Sequence, residues 1–152
     1  MTKYELYLKP SMVWDNNLNY KVENSRGVSD FLINNLNLVN RDREVLIIFA
    51  LNAKGDIIGM NEASIGELSS TVVHPREVAK FLVLSNAAAA IVAHNHPSGD
   101  VNPSNGDLLT TEKLVNMGKV IGIKLIDHII VSENGYYSMS EHGIIQEMNK
   151  DD

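Results

Sequence analysis

The feature that most constrains this chain is residues 87–107, where an apolar run ends at two histidines and a Pro/Gly/Ser loop leads to an aspartate. Successive side chains of a strand point to opposite faces, so His94 and His96 are expected to share one face. The loop closes on Ser104 and Asp107. Two imidazoles and a returning carboxylate form a three-ligand set, which leaves one position open, as in catalytic rather than structural zinc sites.

The same letters have a second interpretation that needs no metal. Ser104 is a good N-cap for a following helix, and Asp107 would then lie in the first helical turn. The two histidines could be polar residues at the end of a strand, and the prolines and glycine could be ordinary loop residues. The capping role and the ligand role are compatible with each other.

Several spaced motifs occur in order along the chain: residues 73–78 and 88–99, which include His94-Asn-His96-Pro-Ser-Gly, then Pro103-Ser104-x-x-Asp107, and residues 125–131. Together they resemble one family, the JAMM (MPN/JAB) metallo-hydrolases, and within it the RadC-type branch. The resemblance covers about residues 41–143. It implies a zinc site on a cytidine-deaminase-like α/β fold, in which helices flank a curved, mixed central sheet.

The resemblance also implies an acid/base glutamate at the start of the first core strand, a place that Glu44 occupies. Metal-activated hydrolysis needs such a group to move a proton to the leaving group. The alternative for Glu44 is a solvated charge among its charged neighbours. Glu77 is the second candidate, although a carboxylate in the first turn of a helix is favourable there without catalysis. Ser104 matches the family serine that donates a hydrogen bond to an oxyanion.

Several further polar residues can be interpreted structurally or functionally. By alternation Asp127 and His128 face opposite sides of their strand, and we interpret His128 as a structural, hydrogen-bonded histidine. Asn95 should point away from the metal, towards the core or a partner behind the ligands. His74, with Arg76 beside it, would either begin a helix or line a substrate groove. The letters His-Asn-His do not indicate an HNH nuclease, because that family spreads them over a ββα unit.

Composition restricts the cellular context and the possible partners. The 152 residues fit one domain, with residues 1–25 as an N-terminal extension and 141–152 as a polar tail. The chain lacks cysteine, so it has no thiolate zinc site, and we expect a reducing cytoplasm as its compartment. No apolar run predicts a membrane span or a signal peptide. A net charge of -6 gives no basic footprint for nucleic acid.

The periodicity of apolar residues predicts strands that alternate with helices, hence a mixed sheet flanked by helices. Ser29 is expected to cap the first helix, and Gly118 and Gly122 to mark the end of the helix that begins at Ser104. The predicted strands cover residues 4–8, 44–51, 56–65, 87–96, 124–131 and 136–139, and the other helices cover 74–86 and a single turn in the tail.

Three functions are compatible with these features. The first is a zinc-dependent hydrolase of amide or isopeptide bonds in a peptide or protein, with His94, His96 and Asp107 on the zinc. The second is a DNA-repair or mobile-element accessory, which the acidic composition and the expected lack of an N-terminal helix-hairpin-helix module disfavour. The third is a non-catalytic MPN interaction module, although such modules usually lose the metal ligands. The sequence specifies no oligomeric state.

Overall fold

Aliphatic and β-branched runs form the strands of a single sheet, and the computed structural model describes residues 1–5, 7–11, 24–65 and 73–150. The strands are β1 Val45–Leu51, β2 Ile57–Ile65, β3 Ala89–Asn95, β4 Lys124–Ser132 and β5 Gly135–Ser138. The helices are α1 Ser25–Asn34, α2 Pro75–Leu84, α3 Asn105–Ile121 and α4 Ile144–Met148, with a 3-10 helix at Leu38–Asn40.

The strand order is β2-β1-β3-β4-β5, which places β3 at the centre of the sheet. Strand β1 runs antiparallel to β2 and β3, whereas β3 and β4 are parallel and are joined by α3. A parallel pair needs a long crossover connection, and a helix usually supplies it. This crossover begins at the end of β3, so the first turn of α3 returns beside the histidines.

Helices cover both faces of the sheet. One face packs on α1 and the 3-10 helix through Val28, Leu32 and Leu38, and the other packs on α2, α3 and α4. Because β3 is buried on both sides, its alternate residues belong to different layers: Ala93 faces α1, and Val92 faces α3. The predicted mixed α/β sheet flanked by helices is therefore confirmed. No helix of the described ranges is both long and apolar enough to cross a membrane.

The first predicted helix begins earlier than expected. Helix α1 starts at Ser25, and the Asn24 side chain accepts a hydrogen bond from Gly27 N, so Asn24 is the N-cap. Ser29 lies inside the helix and is buried. Asparagine and serine are about equally good N-caps, so composition alone could not choose between the two sites. The prediction for Ser29 is wrong.

The predicted strand at residues 4–8 is also wrong for the residues that can be compared. Residues 4, 5, 7 and 8 have no regular structure, and residue 6 lies outside the described ranges. A two-residue period makes a strand only when a sheet provides a partner. Much of the predicted extension over residues 1–25, and the last two residues of the tail, likewise lie outside the described residues.

The sequence predicts that α3 ends near Gly118 and Gly122, but Gly118 lies inside the helix. The helix continues to Ile121, and Gly122 is its left-handed C-cap with φ 74°. A Cβ on Gly118 would lie 2.4 Å from the Ile123 carbonyl oxygen, so this glycine permits a close approach of the following segment. Within the predicted tail, α4 forms the expected helical turn and buries Ile145.

Candidate metal centre

The candidate metal centre lies where β3 ends and α3 begins. His94 is the penultimate residue of β3, and His96 follows the strand directly. Asp107 is the third residue of α3, and a reciprocal capping box fixes its carboxylate. Ser104 N donates to Asp107 Oδ2 at 2.7 Å, and Asp107 N donates to Ser104 Oγ at 3.1 Å. The helix cap thus presents the carboxylate to the two histidines.

Three potential ligands converge on one point. His94 Nε2 lies 2.9 Å from His96 Nε2 and 3.3 Å from Asp107 Oδ1. His96 Nε2 lies 3.4 Å from Asp107 Oδ2. Ligand atoms about 2.0–2.1 Å from a tetrahedral zinc ion would be roughly 3.3 Å apart. The donor set and its spacing therefore fit a zinc-sized divalent cation, and among the described residues no other such group was found.

The orientation of the His96 ring leaves a lone pair for a metal. Its Nδ1 lies 2.6 Å from the carbonyl oxygen of Asp100, which can only accept a hydrogen bond. The proton therefore resides on Nδ1, and Nε2 faces Asp107 without one when the ring is neutral. Metal-bound histidines commonly have their second nitrogen held in this way.

The loop that carries Asp100 is fastened to the turn between β4 and β5. The Gly99 carbonyl accepts hydrogen bonds from Ser132 Oγ and Asn134 Nδ2, both at 3.0 Å. Gly99 has φ +86°, and a Cβ there would lie 3.0 Å from Asn134 Nδ2. The loop thus depends on a glycine, and its anchor holds the carbonyl that orients His96.

The ring of His94 is oriented from the opposite side of the pocket. His94 Nδ1 lies 2.8 Å from His128 Nε2, and His128 Nδ1 lies 2.6 Å from Thr111 Oγ1. His128 is buried and hydrogen-bonded, as the sequence suggested, but its partner is one of the candidate ligands. Thr111 was not predicted. Its position one helical turn after Asp107 is the only sequence signal that could have indicated it.

Glu44 lies directly before β1, whose partner strand β3 carries His94. The register pairs Leu46 with His94, and Glu44 is two residues before Leu46. The negative charge of Glu44 acts to raise the pKa of both histidines, as the weakest cause for each, although burial lowers the pKa of His94 overall. Glu44 is therefore near enough to act electrostatically on the candidate centre, and its role as the acid/base stays a prediction.

Asn95 fastens the chain on both sides of Glu44. Its Oδ1 accepts from Val45 N at 2.8 Å, and its Nδ2 donates to the carbonyl oxygen of Arg43 at 3.0 Å. The Asn95 side chain is fully buried, on the face away from the metal centre, as alternation predicts. The Asn95 side chain therefore holds the backbone in place on both sides of Glu44.

The other glutamate, Glu77, is engaged elsewhere. It lies in the first turn of α2, where it pairs with Lys80 at 2.6 Å and Arg76 at 3.7 Å. The Lys80 hydrogen bond lowers the pKa of Glu77. His74 is the N-cap of α2 and accepts from Arg76 N at 3.3 Å, so the helix-entry interpretation holds for it.

The protonation states of the three candidate ligands differ. Burial lowers the pKa of His94, whereas the hydrogen bond with Asp107 raises the pKa of His96. Burial alone would raise the pKa of Asp107, but the neighbouring His94 and His96 rings hold it well below its ordinary value. An ionised carboxylate beside a neutral, buried imidazole is a suitable ligand set for a divalent cation.

Ser104 has both of its predicted hydrogen-bonding capacities in use within the capping box. Its Oγ donates to Asp107 Oδ2 at 2.8 Å while accepting from Asp107 N. The capping interpretation is confirmed. An oxyanion could receive the hydroxyl proton only if that proton turned away from Asp107.

Comparison with known proteins adds a family match. Residues 22–144 match the RadC-like JAB domain. A UPF0758 protein of Alkaliphilus oremlandii is 42% identical over 127 residues, which are 84% of this chain and 54% of that protein. UPF0758 proteins of Rubrobacter xylanophilus and Thermotoga maritima are 46% and 42% identical over 71% and 70% of this chain, and 47% and 48% of theirs. The chain spans about half the length of these relatives.

Proposed function

Since the chain belongs to the RadC-like JAB domain family, we propose that it is a zinc-dependent hydrolase of the JAMM type. Its substrate would be an amide or isopeptide bond in a peptide or protein. The observation that carries the proposal is the close approach of three candidate ligands. His94 Nε2 lies 2.9 Å from His96 Nε2 and 3.3 Å from Asp107 Oδ1, and His96 Nε2 lies 3.4 Å from Asp107 Oδ2. Three protein ligands leave the fourth position of a tetrahedral zinc ion for water or substrate.

In this mechanism His94, His96 and Asp107 would hold the zinc ion. When bound, the ion polarises a carbonyl group and makes water a stronger acid near neutral pH. Glu44 takes the proton from the attacking water and delivers it to the leaving amine, a role supported by the effect of its charge on both histidines. Ser104 Oγ turns its hydrogen from Asp107 to the developing oxyanion.

Elemental analysis and a cleavage assay test this proposal together. We expect about one zinc ion per chain and zinc-dependent cleavage of a quenched fluorescent peptide library that contains linear and isopeptide-linked members. Glu44→Gln should keep the zinc and lose cleavage. A wild-type protein that binds no zinc and gains no thermal stability from added zinc would refute the proposal.

The two other candidate functions make different predictions for the same protein. Tight, salt-sensitive binding of duplex DNA without hydrolysis would favour an accessory role in DNA processing. A Glu44→Gln variant that retains the full cellular phenotype would favour a non-catalytic interaction module. Neither function is supported by a specific contact among the described residues, whereas the grouping of His94, His96 and Asp107 supports hydrolysis.

A further inference from the structure

A buried chain of hydrogen bonds runs behind the candidate metal centre and returns to it. It begins at His94 Nδ1, which lies 2.8 Å from His128 Nε2. It continues from His128 Nδ1 to Thr111 Oγ1 over 2.6 Å, and from Thr111 Oγ1 to the Asp107 carbonyl oxygen over 2.6 Å. Both ends of the chain are candidate metal ligands.

The chemistry of its last member gives this chain a direction. The Asp107 carbonyl can only accept, so Thr111 Oγ1 donates to it and accepts the proton of His128 Nδ1. Neutral His128 then has a lone pair on Nε2, which accepts from His94 Nδ1. His94 is left with a lone pair on Nε2, the atom that lies 3.3 Å from Asp107 Oδ1.

The reversed chain would prevent metal binding. If Thr111 donated to His128 Nδ1, His128 Nε2 would carry a proton and would donate to His94 Nδ1. His94 Nε2 would then hold a proton where a metal needs a lone pair. The tautomer of His94 is therefore coupled to the hydroxyl of a threonine on another element, two hydrogen bonds away.

Solvent has no access to this chain. His94, Thr111 and His128 are each 0% exposed, and they come from β3, α3 and β4 respectively. The thioether of Met139 lies 3.3 Å from Thr111 Oγ1 and is a weaker acceptor than a carbonyl oxygen.

We propose that Thr111 and His128 are positioning residues that select the His94 tautomer with its Nε2 lone pair directed at the metal. The proposal rests on the zinc site of the proposed function. It adds that the zinc affinity of that site depends on the buried hydrogen bonds of Thr111 and His128, which fix the tautomer of His94. A histidine with a purely structural role would affect the stability of the fold and leave the zinc affinity of the folded protein unchanged.

Two nearly isosteric substitutions at one position test the proposal. Thr111→Val removes the hydroxyl and keeps the shape, whereas Thr111→Ser keeps the hydroxyl. We expect Thr111→Val to bind zinc about 10–100-fold more weakly than wild type in chelator competition, with Thr111→Ser close to wild type. Thermal unfolding of the metal-free variants identifies any general loss of stability. Equal zinc affinity in folded Thr111→Val and wild type would overturn the proposal.

A spectroscopic measurement on the wild-type protein tests the same inference and does not depend on whether a variant folds. In ¹⁵N-histidine NMR of the zinc-loaded chain, we expect His128 to be protonated on Nδ1 and His94 to be protonated on Nδ1 and metal-bound through Nε2. Protonation of His128 on Nε2 would overturn this inference and leave the proposed function intact. Failure of the wild type to bind zinc would instead refute the proposed function, and this inference with it.

Discussion

Two buried aspartates, each 2% exposed, differ in the groups that surround their oxygens. Asp127 Oδ2 accepts from Ser25 Oγ at 2.8 Å and Ser138 Oγ at 2.6 Å. Its Oδ1 accepts from His128 N at 2.8 Å and Ser140 N at 2.9 Å. Fixed donors of the fold therefore satisfy both oxygens of Asp127 and tie α1 to β4 and β5.

In Asp107, by contrast, fixed donors bond only one of the two carboxylate oxygens. Ser104 donates to Oδ2 through its backbone N and its hydroxyl, whereas Oδ1 faces His94 Nε2 at 3.3 Å. When both imidazoles are neutral in the tautomers above, acceptor atoms oppose one another in this pocket, and a cation relieves their repulsion. Burial therefore does not distinguish the structural carboxylate from the candidate ligand, whereas the number of fixed donors around each carboxylate does.

The largest expected effect comes from changing the carboxylate that faces the histidines. Asp107→Asn keeps an oxygen for the Ser104 donors but replaces the charged ligand with a neutral one. We expect zinc binding in elemental analysis and zinc-dependent cleavage to fall to background. The metal-free protein should unfold at a urea concentration close to that of wild type, because the helix cap survives. A variant that retains one zinc per chain would remove the distinction between the two aspartates.

The opposite result is expected for the structural aspartate. Asp127→Ala leaves two hydroxyls and two backbone N–H groups without their buried acceptor, which should cost about 3 kcal/mol of unfolding free energy. The folded fraction should still bind zinc. Urea unfolding of the metal-free protein and zinc analysis at low urea measure the two quantities separately. Loss of zinc binding from a fully folded Asp127→Ala protein would contradict the assignment.

Asn95 extends the comparison to a side chain on the α1 face of the sheet that holds the backbone around Glu44, the candidate acid/base. Asn95→Ala frees the backbone on both sides of Glu44, and a displacement of about 1 Å of a catalytic group can cost on the order of 100-fold in rate. We expect kcat to fall about 10–100-fold, with zinc content unchanged. Asn95→Asp, which keeps the acceptor for Val45 N, is the matched variant and should lose less. Wild-type kcat in Asn95→Ala would show that Glu44 needs no such support.

The sequence predicts contacts between residues that are close along the chain better than contacts between distant ones. His94, His96, Ser104 and Asp107 lie within fourteen residues, so alternation and capping rules were sufficient to propose that they meet. The orientation of Asn95 followed from the same alternation. The partners of His94 and of the Gly99 loop come from strand β4 and its turn, more than 30 residues away. No local pattern encodes those contacts.

Tertiary context also decided the errors at helix ends. Asn24 and Ser29 are both competent caps, and packing of α1 on the sheet buries Ser29. Gly118 looked like a terminator, but its missing side chain admits the Ile123 carbonyl. Periodicity thus located the elements, and contacts between distant elements set their ends and the orientation of the ligands.

A smaller, graded effect is expected from pH. The hydrogen bond with Asp107 raises the pKa of His96 above its ordinary value. In the metal-free protein a proton on His96 therefore begins to compete with zinc at a higher pH than a proton on an ordinary histidine would. The pKa of His94 is lowered by burial, so His94 should not compete in the same range. Zinc affinity in chelator competition should weaken by about tenfold per pH unit below the pKa of His96. A flat profile between about pH 8 and 6 would contradict this assignment.

The smallest effect is expected from Glu77, the second candidate for the acid/base. Its carboxylate is paired with Lys80 and Arg76 on the surface of α2, and the Lys80 hydrogen bond lowers its pKa, which makes it a weaker base. Glu77→Gln should therefore leave zinc content and cleavage rate unchanged within error, while Glu44→Gln keeps the zinc and abolishes cleavage. If Glu77→Gln were inactive with zinc bound and Glu44→Gln active, the roles would be exchanged. The catalytic carboxylate would then be the one paired with Lys80 and Arg76 on α2, and the charge of Glu44 near the histidines would have no catalytic role.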